Sequence, residues 1–280
     1  MKAIKENKIV EMLYHAIEKA SFTIEPSIKQ LLIDARKKEK NPVGKKVLGV
    51  IMENLKIAHN KHLPICQDTG MVVVFFEIGS DIRIEFHNFA TIQQIVDEAV
   101  RRAYSDFYLR KSVVGIPERK NTRDNSPAVV WCKNVAGDQL KFSLMIKGFG
   151  SENMTTLKMF TPNISIGEII EFAVGCVKKA GPNPCPPVFL GLGMGGTAEK
   201  AVLLSKCALL NVGRRRDKKI GVFEEEIISR INRLGIGPAG LGGNITCLDA
   251  RIKTYPTHIA GFPVAVSLSC WAHRMYREIL

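Results

Sequence analysis

Seven cysteines are spread along a chain of 280 residues, and they divide by their settings. Cys132, Cys176, Cys207 and Cys247 fall inside stretches with strand or helix periodicity, the settings of small apolar core residues. Cys66, Cys185 and Cys270 fall at the ends of such stretches, flanked by Gly, Pro or polar residues. Cys66 stands in Pro64-Ile65-Cys66-Gln67-Asp68-Thr69-Gly70, where a thiol, an amide and a carboxylate share one loop. Cys185 stands in Gly181-Pro182-Asn183-Pro184-Cys185-Pro186-Pro187, where prolines restrict the backbone on both sides of the thiol. Cys270 opens Cys270-Trp271-Ala272-His273-Arg274. No Cys-x-x-Cys pair occurs, so ribbon-type zinc sites and thioredoxin-like motifs are unsupported. Three thiolates are one short of a closed structural zinc site, but they suit an iron–sulfur cluster with one iron left open. An open iron can act as a Lewis acid on a hydroxyl or a carboxylate. The competing reading is a set of inert thiols, because thiol reactivity depends on surroundings.

The three loops are far apart in sequence, so only the fold can bring their side chains together. Three amphipathic helices are expected before Cys66. The first has apolar positions at Ile9, Leu13, Ala16, Ile17 and Ala20, and the second covers Ser27 to about Lys38. The third has Asn41 as cap and Pro42 in its first turn. A buried strand is expected over 71–78 and a shorter one over Ile82 to Phe86. Thr91-x-x-Gln94 and Ser165-x-x-Glu168 have capping-box spacing and should open helices. Residues 115–127 read as an exposed loop. Val129 to Lys133 and Leu140 to Lys147 read as strands joined in a hairpin through Ala136-Gly137-Asp138. Further strands are expected at Val188 to Leu192, Ile245 to Lys253 and Val264 to Leu268, with helices at about Ala198 to Leu210 and Glu224 to Arg233. This pattern predicts an α+β fold: a mostly antiparallel sheet covered by amphipathic helices, with the three cysteine loops at one edge. Residues 1–280 are expected to form a single catalytic-type domain, with 1–60 as its helical part.

Composition bounds the function. The chain is 46% hydrophobic, enough for a sizeable core, and no apolar run approaches the length needed to span a bilayer. An odd cysteine count without a signal-peptide core argues against a disulfide framework and for a soluble, cytoplasmic protein. The net charge is +13, but only 7% of residues are aromatic, and none interleave with the basic clusters Arg36 to Lys46 and Arg214 to Lys219. Stacking platforms for nucleic acid are therefore missing, and the charge reads as a solvated surface that also steers small anions. The glycine turn Gly193-Met194-Gly195-Gly196-Thr197 lacks the Gly-Lys-Ser/Thr of a phosphate loop and the spacing of a dinucleotide fingerprint.

Five segments occur in a telling order: Ile65-Cys66-Gln67-Asp68-Thr69-Gly70, Asn183-Pro184-Cys185-Pro186-Pro187, Gly195-Gly196-Thr197-Ala198-Glu199-Lys200, Tyr255-Pro256-Thr257-His258 and Ser269-Cys270. Together they resemble the class I, iron–sulfur-dependent fumarate hydratases of the fumarase/tartrate dehydratase alpha family, over essentially the whole chain. The resemblance implies a [4Fe–4S] cluster on Cys66, Cys185 and Cys270. It implies substrate contacts at Gln67, Asp68, Arg110, Gly150 and His258, with Asp68 and His258 as the catalytic pair and Asp68 matching the family's proton donor. By residue type alone, Arg110 reads as a helix-end surface arginine and His258 as a hydrogen-bonded structural histidine. Phe149, in Gly148-Phe149-Gly150, stands where the family usually has consecutive glycines.

The resemblance further implies an alpha subunit whose beta partner supplies the second half of the site in a hetero-oligomer, since single-chain members continue into a second domain. The implied reaction is the reversible hydration of fumarate, a small dicarboxylate, with tartrate dehydration as the alternative. Trp271-Ala272-His273-Arg274 and Gly235-Ile236-Gly237-Pro238 are similar to the tartrate side of the family; the segments bordering the expected site are similar to the fumarase side. A non-catalytic iron–sulfur interaction protein is the reading from a different class.

Overall fold

The structure is a computed structural model that describes residues 2–280. The chain is α+β and divides into two compact units. One holds residues 1–25, 55–149 and 274–280, and the other holds 26–54 and 150–273.

The first unit contains strand β1 (Lys2–Lys5) and helix α1 (Glu6–Phe22). Helix α2 (Pro26–Lys38) belongs to the second unit, and α3 (Pro42–Lys61) has residues in both. The first unit continues with β2 (Met71–Gly79), β3 (Ile82–Glu85), α4 (Ile92–Asp106), β4 (Val129–Val135) and β5 (Leu140–Lys147). A helical turn, α5 (Phe149–Glu152), follows β5. The second unit then adds β6 (Thr156–Phe160), α6 (Ile166–Ala180), β7 (Val188–Met194), α7 (Ala198–Leu209), α8 (Gly221–Asn232), β8 (Cys247–Thr254) and β9 (Phe262–Ser269). Strand β10 (Arg274–Ile279) returns to the first unit.

In the first unit the sheet order is β10-β5-β2-β4. Alternate residues Val72, Val74 and Phe76 of β2 and Leu140, Phe142, Leu144 and Ile146 of β5 are buried with Leu13 and Ile17 of α1 and Ile95 and Ala99 of α4. This is the period-two pattern of a strand meeting the 3.6-residue pattern of a helix. The expected hairpin at 129–147 does not form. Strand β2 lies between β4 and β5, parallel to β4 and antiparallel to β5. A parallel pair needs a crossover, and α4 with its flanking loops supplies it between β2 and β4.

The second unit repeats the mixture in the order β6-β9-β7-β8, with β7 antiparallel to β9 and parallel to β8. Each four-stranded sheet thus carries one parallel edge strand on a mainly antiparallel arrangement. In β7 the alternation is Leu190-Gly191-Leu192-Gly193. The leucines enter a core with Ile169 and Ala173 of α6 and Ile227 and Ile231 of α8. The glycines face α7: a Cβ on either would stand 2.0 Å from a carbonyl oxygen, of Ser205 or of Ala201. Only hydrogen at those two positions lets the helix lie on the strand.

Caps act as the sequence indicates. Asn41 Oδ1 accepts the N–H of Val43, and Ser165 with Glu168 forms a complete reciprocal box at the start of α6. At α4, Thr91 Oγ1 accepts Gln94 N–H, while Gln94 Oε1 reaches the N–H of Ala90 rather than that of Thr91. Strands β1, β6 and β10 were not expected from the sequence.

Candidate active site

The Cys66 loop joins α3 to β2. It is held from below by polar groups from elsewhere in the first unit. Tyr104, buried on α4, donates its hydroxyl to the carbonyl of Thr69 at 2.6 Å. Asn125 Nδ2 donates to the carbonyl of Gly70 at 3.1 Å, and its Oδ1 accepts Ser112 N–H at 2.7 Å. The Thr69 hydroxyl donates to the carbonyl of Arg110, which ties the loop to the segment after α4. Gly70 adopts φ +70°, and a Cβ there would lie 2.8 Å from the carbonyl oxygen of Lys147, so both backbone and space demand glycine. Burial pushes the Tyr104 phenol well above its usual range; Arg274 pulls it down and Asp68 pushes it further up. It therefore serves as a neutral donor at physiological pH.

This scaffold presents Cys66, Gln67 and Asp68. The Cys66 thiol is partly exposed and points toward Gln67 Oε1 at 3.7 Å. Asp68 is half-buried; its Oδ2 accepts Phe149 N–H at 2.8 Å and its Oδ1 accepts Gly70 N–H at 3.0 Å. The carboxylate therefore clasps the exit of β5 to its own loop. Arg110 is exposed, with its backbone rather than its guanidinium tied to this loop.

In the second unit, the sheet brings two cysteines to one end. Phe189 of β7 stands opposite Ser269 of β9. Cys185 lies just before β7 and Cys270 directly after Ser269, so both loops lie at the same sheet end. Cys185 is exposed and has φ +53°, an uncommon conformation for a residue with a side chain. The carbonyl of Pro182 accepts Cys185 N–H at 2.9 Å, and the carbonyl of Pro186 accepts Ala239 N–H at 2.7 Å. Gly150 borders this loop: a Cβ on it would come 3.0 Å from the carbonyl oxygen of Asn183. His273 is buried behind Cys270, against Ser269 Oγ at 2.9 Å and the carbonyl of Leu209 at 3.1 Å.

His258 lies in the turn between β8 and β9, at the other end of the sheet from Cys185 and Cys270. Its ring is exposed, and its Nδ1 accepts Ala260 N–H at 3.1 Å. The seven-residue span of β7 separates the two ends, roughly 20 Å at about 3.3 Å per residue.

Three of the thiols within regular elements are shifted by their surroundings. Burial pushes the thiols of Cys132, Cys176 and Cys247 upward, most strongly at Cys247. Such thiols resist becoming thiolates, the form that binds metal. Among the described residues, no group of three or more His, Cys, Asp or Glu side chains is gathered closely enough to hold a metal ion. Of the expected ligands, Cys66 belongs to the first unit and Cys185 and Cys270 to the second. No helix among the described residues is long and apolar enough to cross a membrane.

Tyr104 and Asn125 border the Asp68 loop without standing out in the sequence, while Gly148 and Arg274 stand out there only within Gly148-Phe149-Gly150 and Trp271-Ala272-His273-Arg274. Tyr104 reads there only as one more residue of a helical pattern.

The pattern of the fumarate hydratase (Fumerase) family matches residues 10–278. A Methanocaldococcus jannaschii protein named "Putative L(+)-tartrate dehydratase subunit alpha" is 38% identical over 281 residues, covering 95% of each chain. An L(+)-tartrate dehydratase subunit alpha of Escherichia coli (strain UTI89) is 30% identical, covering 96% of this chain and 89% of its own. The corresponding Shigella sonnei protein is 29% identical with the same coverage. Over nearly its whole length, then, the chain belongs to the fumarate hydratase (Fumerase) family.

Proposed function

We propose that this chain is the alpha subunit of a hydro-lyase that reversibly hydrates fumarate to malate, with Cys66, Cys185 and Cys270 holding a [4Fe–4S] cluster. Membership of the family makes it a hydro-lyase; the substrate, the cluster and the partner are the proposal. The observation that carries it is the sorting of the cysteines. These three lie in loops, whereas Cys132, Cys176, Cys207 and Cys247 lie within β4, α6, α7 and β8. Three loop thiols and no fourth are the donor set of a cluster with one open iron. When bound, such a cluster supplies Lewis-acid chemistry toward a hydroxyl and a carboxylate.

The chain's own residues supply the rest of this proposal. Asp68, fixed by two backbone N–H groups, delivers a proton to the leaving hydroxyl in the dehydration direction. Gln67 and Arg110 orient the dicarboxylate, Arg110 through the paired hydrogen bonds that a guanidinium offers a carboxylate. Gly150 keeps side-chain atoms away from the Cys185 loop. His258 stands at the far end of its sheet, so Asp68 carries the proton-donor role here. Because the relatives are named alpha subunits, a beta subunit is proposed to complete the site with the base for the carbon-bound proton.

The second reading is dehydration of tartrate to oxaloacetate, favoured by the names of those same relatives. Anaerobic assay of the reconstituted pair on malate, fumarate and L(+)-tartrate decides between them. A kcat/KM for malate and fumarate at least tenfold above that for tartrate supports the first; the reverse order supports the second.

A further inference from the structure

Arg274 opens β10, opposite Ile146 of β5, and is only 3% exposed. A guanidinium stays charged at all working pH values, and a buried one needs partners. Its Nε is fully enclosed and has no hydrogen-bond partner. The nearby carboxylate of Asp68 is occupied elsewhere, by the N–H groups of Phe149 and Gly70. Gly148 lies beside both side chains. A Cβ on Gly148 would stand 3.0 Å from Asp68 Oδ2 and 3.4 Å from Arg274 Nη2. Asp68 and Arg274 therefore both border the space that the missing side chain leaves. All three residues belong to one compact unit.

A buried guanidinium with an unsatisfied Nε beside a clasped carboxylate suits a ligand that is anionic at one end and hydroxylated at the other. We propose that Arg274 and Gly148 form a carboxylate slot beside Asp68, which takes the carboxylate adjoining the hydroxyl-bearing carbon of a small 2-hydroxy acid. The carboxylate lies against the Arg274 guanidinium, and the neighbouring hydroxyl is left facing Asp68. Glycine at position 148 is what lets a ligand atom enter between them; even a methyl group there would crowd Asp68. The inference rests on the hydro-lyase reading for the identity of the ligand, and on the buried guanidinium for the slot itself. It makes Arg274 a specificity-determining residue, distinct from the exposed Arg110.

The test uses the anaerobically reconstituted pair and tartronate, a 2-hydroxy-dicarboxylate that has no adjacent carbon from which water could be eliminated. Calorimetric titration is run on wild type, R274Q, R274K and G148A, with melting temperature and iron content recorded for each. Truncating one partner of a buried charged pair costs enough that R274Q should bind tartronate about 30-fold or more weakly. R274K should recover part of that loss, and G148A should weaken binding with Arg274 still in place. Kinetically, the loss in R274Q should appear mainly in KM. Should R274Q fail to fold, G148A decides the matter by the same measurement. Binding within twofold of wild type in the folded variants overturns the slot, as does a wild type that does not bind tartronate. Arg274-dependent tartronate binding in a pair that dehydrates neither malate nor tartrate supports the slot and overturns the proposed substrates instead.

Discussion

Asp68 Oδ2 accepts the backbone N–H of Phe149 at 2.8 Å, while its other oxygen holds Gly70 N–H at 3.0 Å. A carboxyl group has one oxygen for each of the two N–H donors. Asparagine has one acceptor oxygen, so in D68N one N–H must face an amide NH2. The expected outcome is a kcat loss of about 10²–10⁴-fold, the usual worth of a positioned acid. The cluster content and fold of D68N should be retained, because Tyr104 and Asn125 still hold the loop. Steady-state kinetics with iron analysis and circular dichroism check this. A D68N enzyme with wild-type kcat would remove Asp68 from the proton-donor role.

The cysteine assignment predicts a sharp contrast. C66S, C185S and C270S should each fail to incorporate a stable cluster under anaerobic reconstitution, while C176S and C247S should load normally. The contrast follows from setting: the first three thiols are in loops, while Cys176 lies on α6 and Cys247 is buried in β8. Iron and acid-labile sulfide per chain, together with visible absorbance, give the answer. Normal loading of C185S would refute the ligand set.

The sequence made some of this legible and hid the rest for identifiable reasons. Helix starts were readable because caps are local: Asn41, Thr91 and Ser165 each act within three residues. The place of β2 between β4 and β5 was hidden, because pairing is set by the crossover through α4 rather than by the short turn at Ala136-Gly137-Asp138. A hairpin was the wrong inference from a good turn signal. The motif around Cys66 was readable, but its supports were not, since Tyr104 and Asn125 are remote in sequence and carry no motif of their own. Arg274 was invisible as a site residue because its burial depends on β10 pairing with β5. The coming together of Cys185 and Cys270 at one sheet end follows from the β7–β9 register, which no spacing rule reveals.

The box at the start of α6 should show itself in a pH profile. Hydrogen bonds from the Ser165 backbone N–H and hydroxyl hold the Glu168 carboxyl below its ordinary value. A carboxyl with a depressed folded-state pKa stabilises above its unfolded value, and that contribution fades as pH falls through the folded one. S165A should therefore melt a few degrees lower at neutral pH, on the order of 2–4 °C for a loss typical of a cap. The gap between S165A and wild type should narrow below about pH 4.5, where Glu168 protonates in both. Thermal melts from pH 3.5 to 7.5 measure it. A gap that does not change with pH would assign the effect to the Ser165 hydroxyl alone.

The relatives' designation as alpha subunits leads to the last prediction: this chain by itself should take up a cluster yet turn over malate very slowly. Elimination of water from a 2-hydroxy acid needs an acid at the leaving oxygen and a base at the neighbouring carbon. Asp68 offers the first. No second proton-accepting residue accompanies it among the expected site residues of its own unit, and His258 lies at the far end of the other unit's sheet from Cys185 and Cys270. Correct placement of reacting groups is worth about 7–11 kcal/mol in favourable cases, so a site lacking its base should lose several orders of magnitude in kcat. Adding the partner subunit should restore turnover in proportion to complex formed, saturating at one fixed ratio of the two chains. The measurement is an anaerobic titration of reconstituted alpha chain with partner, following absorbance of the double bond formed from malate. Equal rates with and without the partner would show that this chain carries the whole site, and the two-subunit reading would fail.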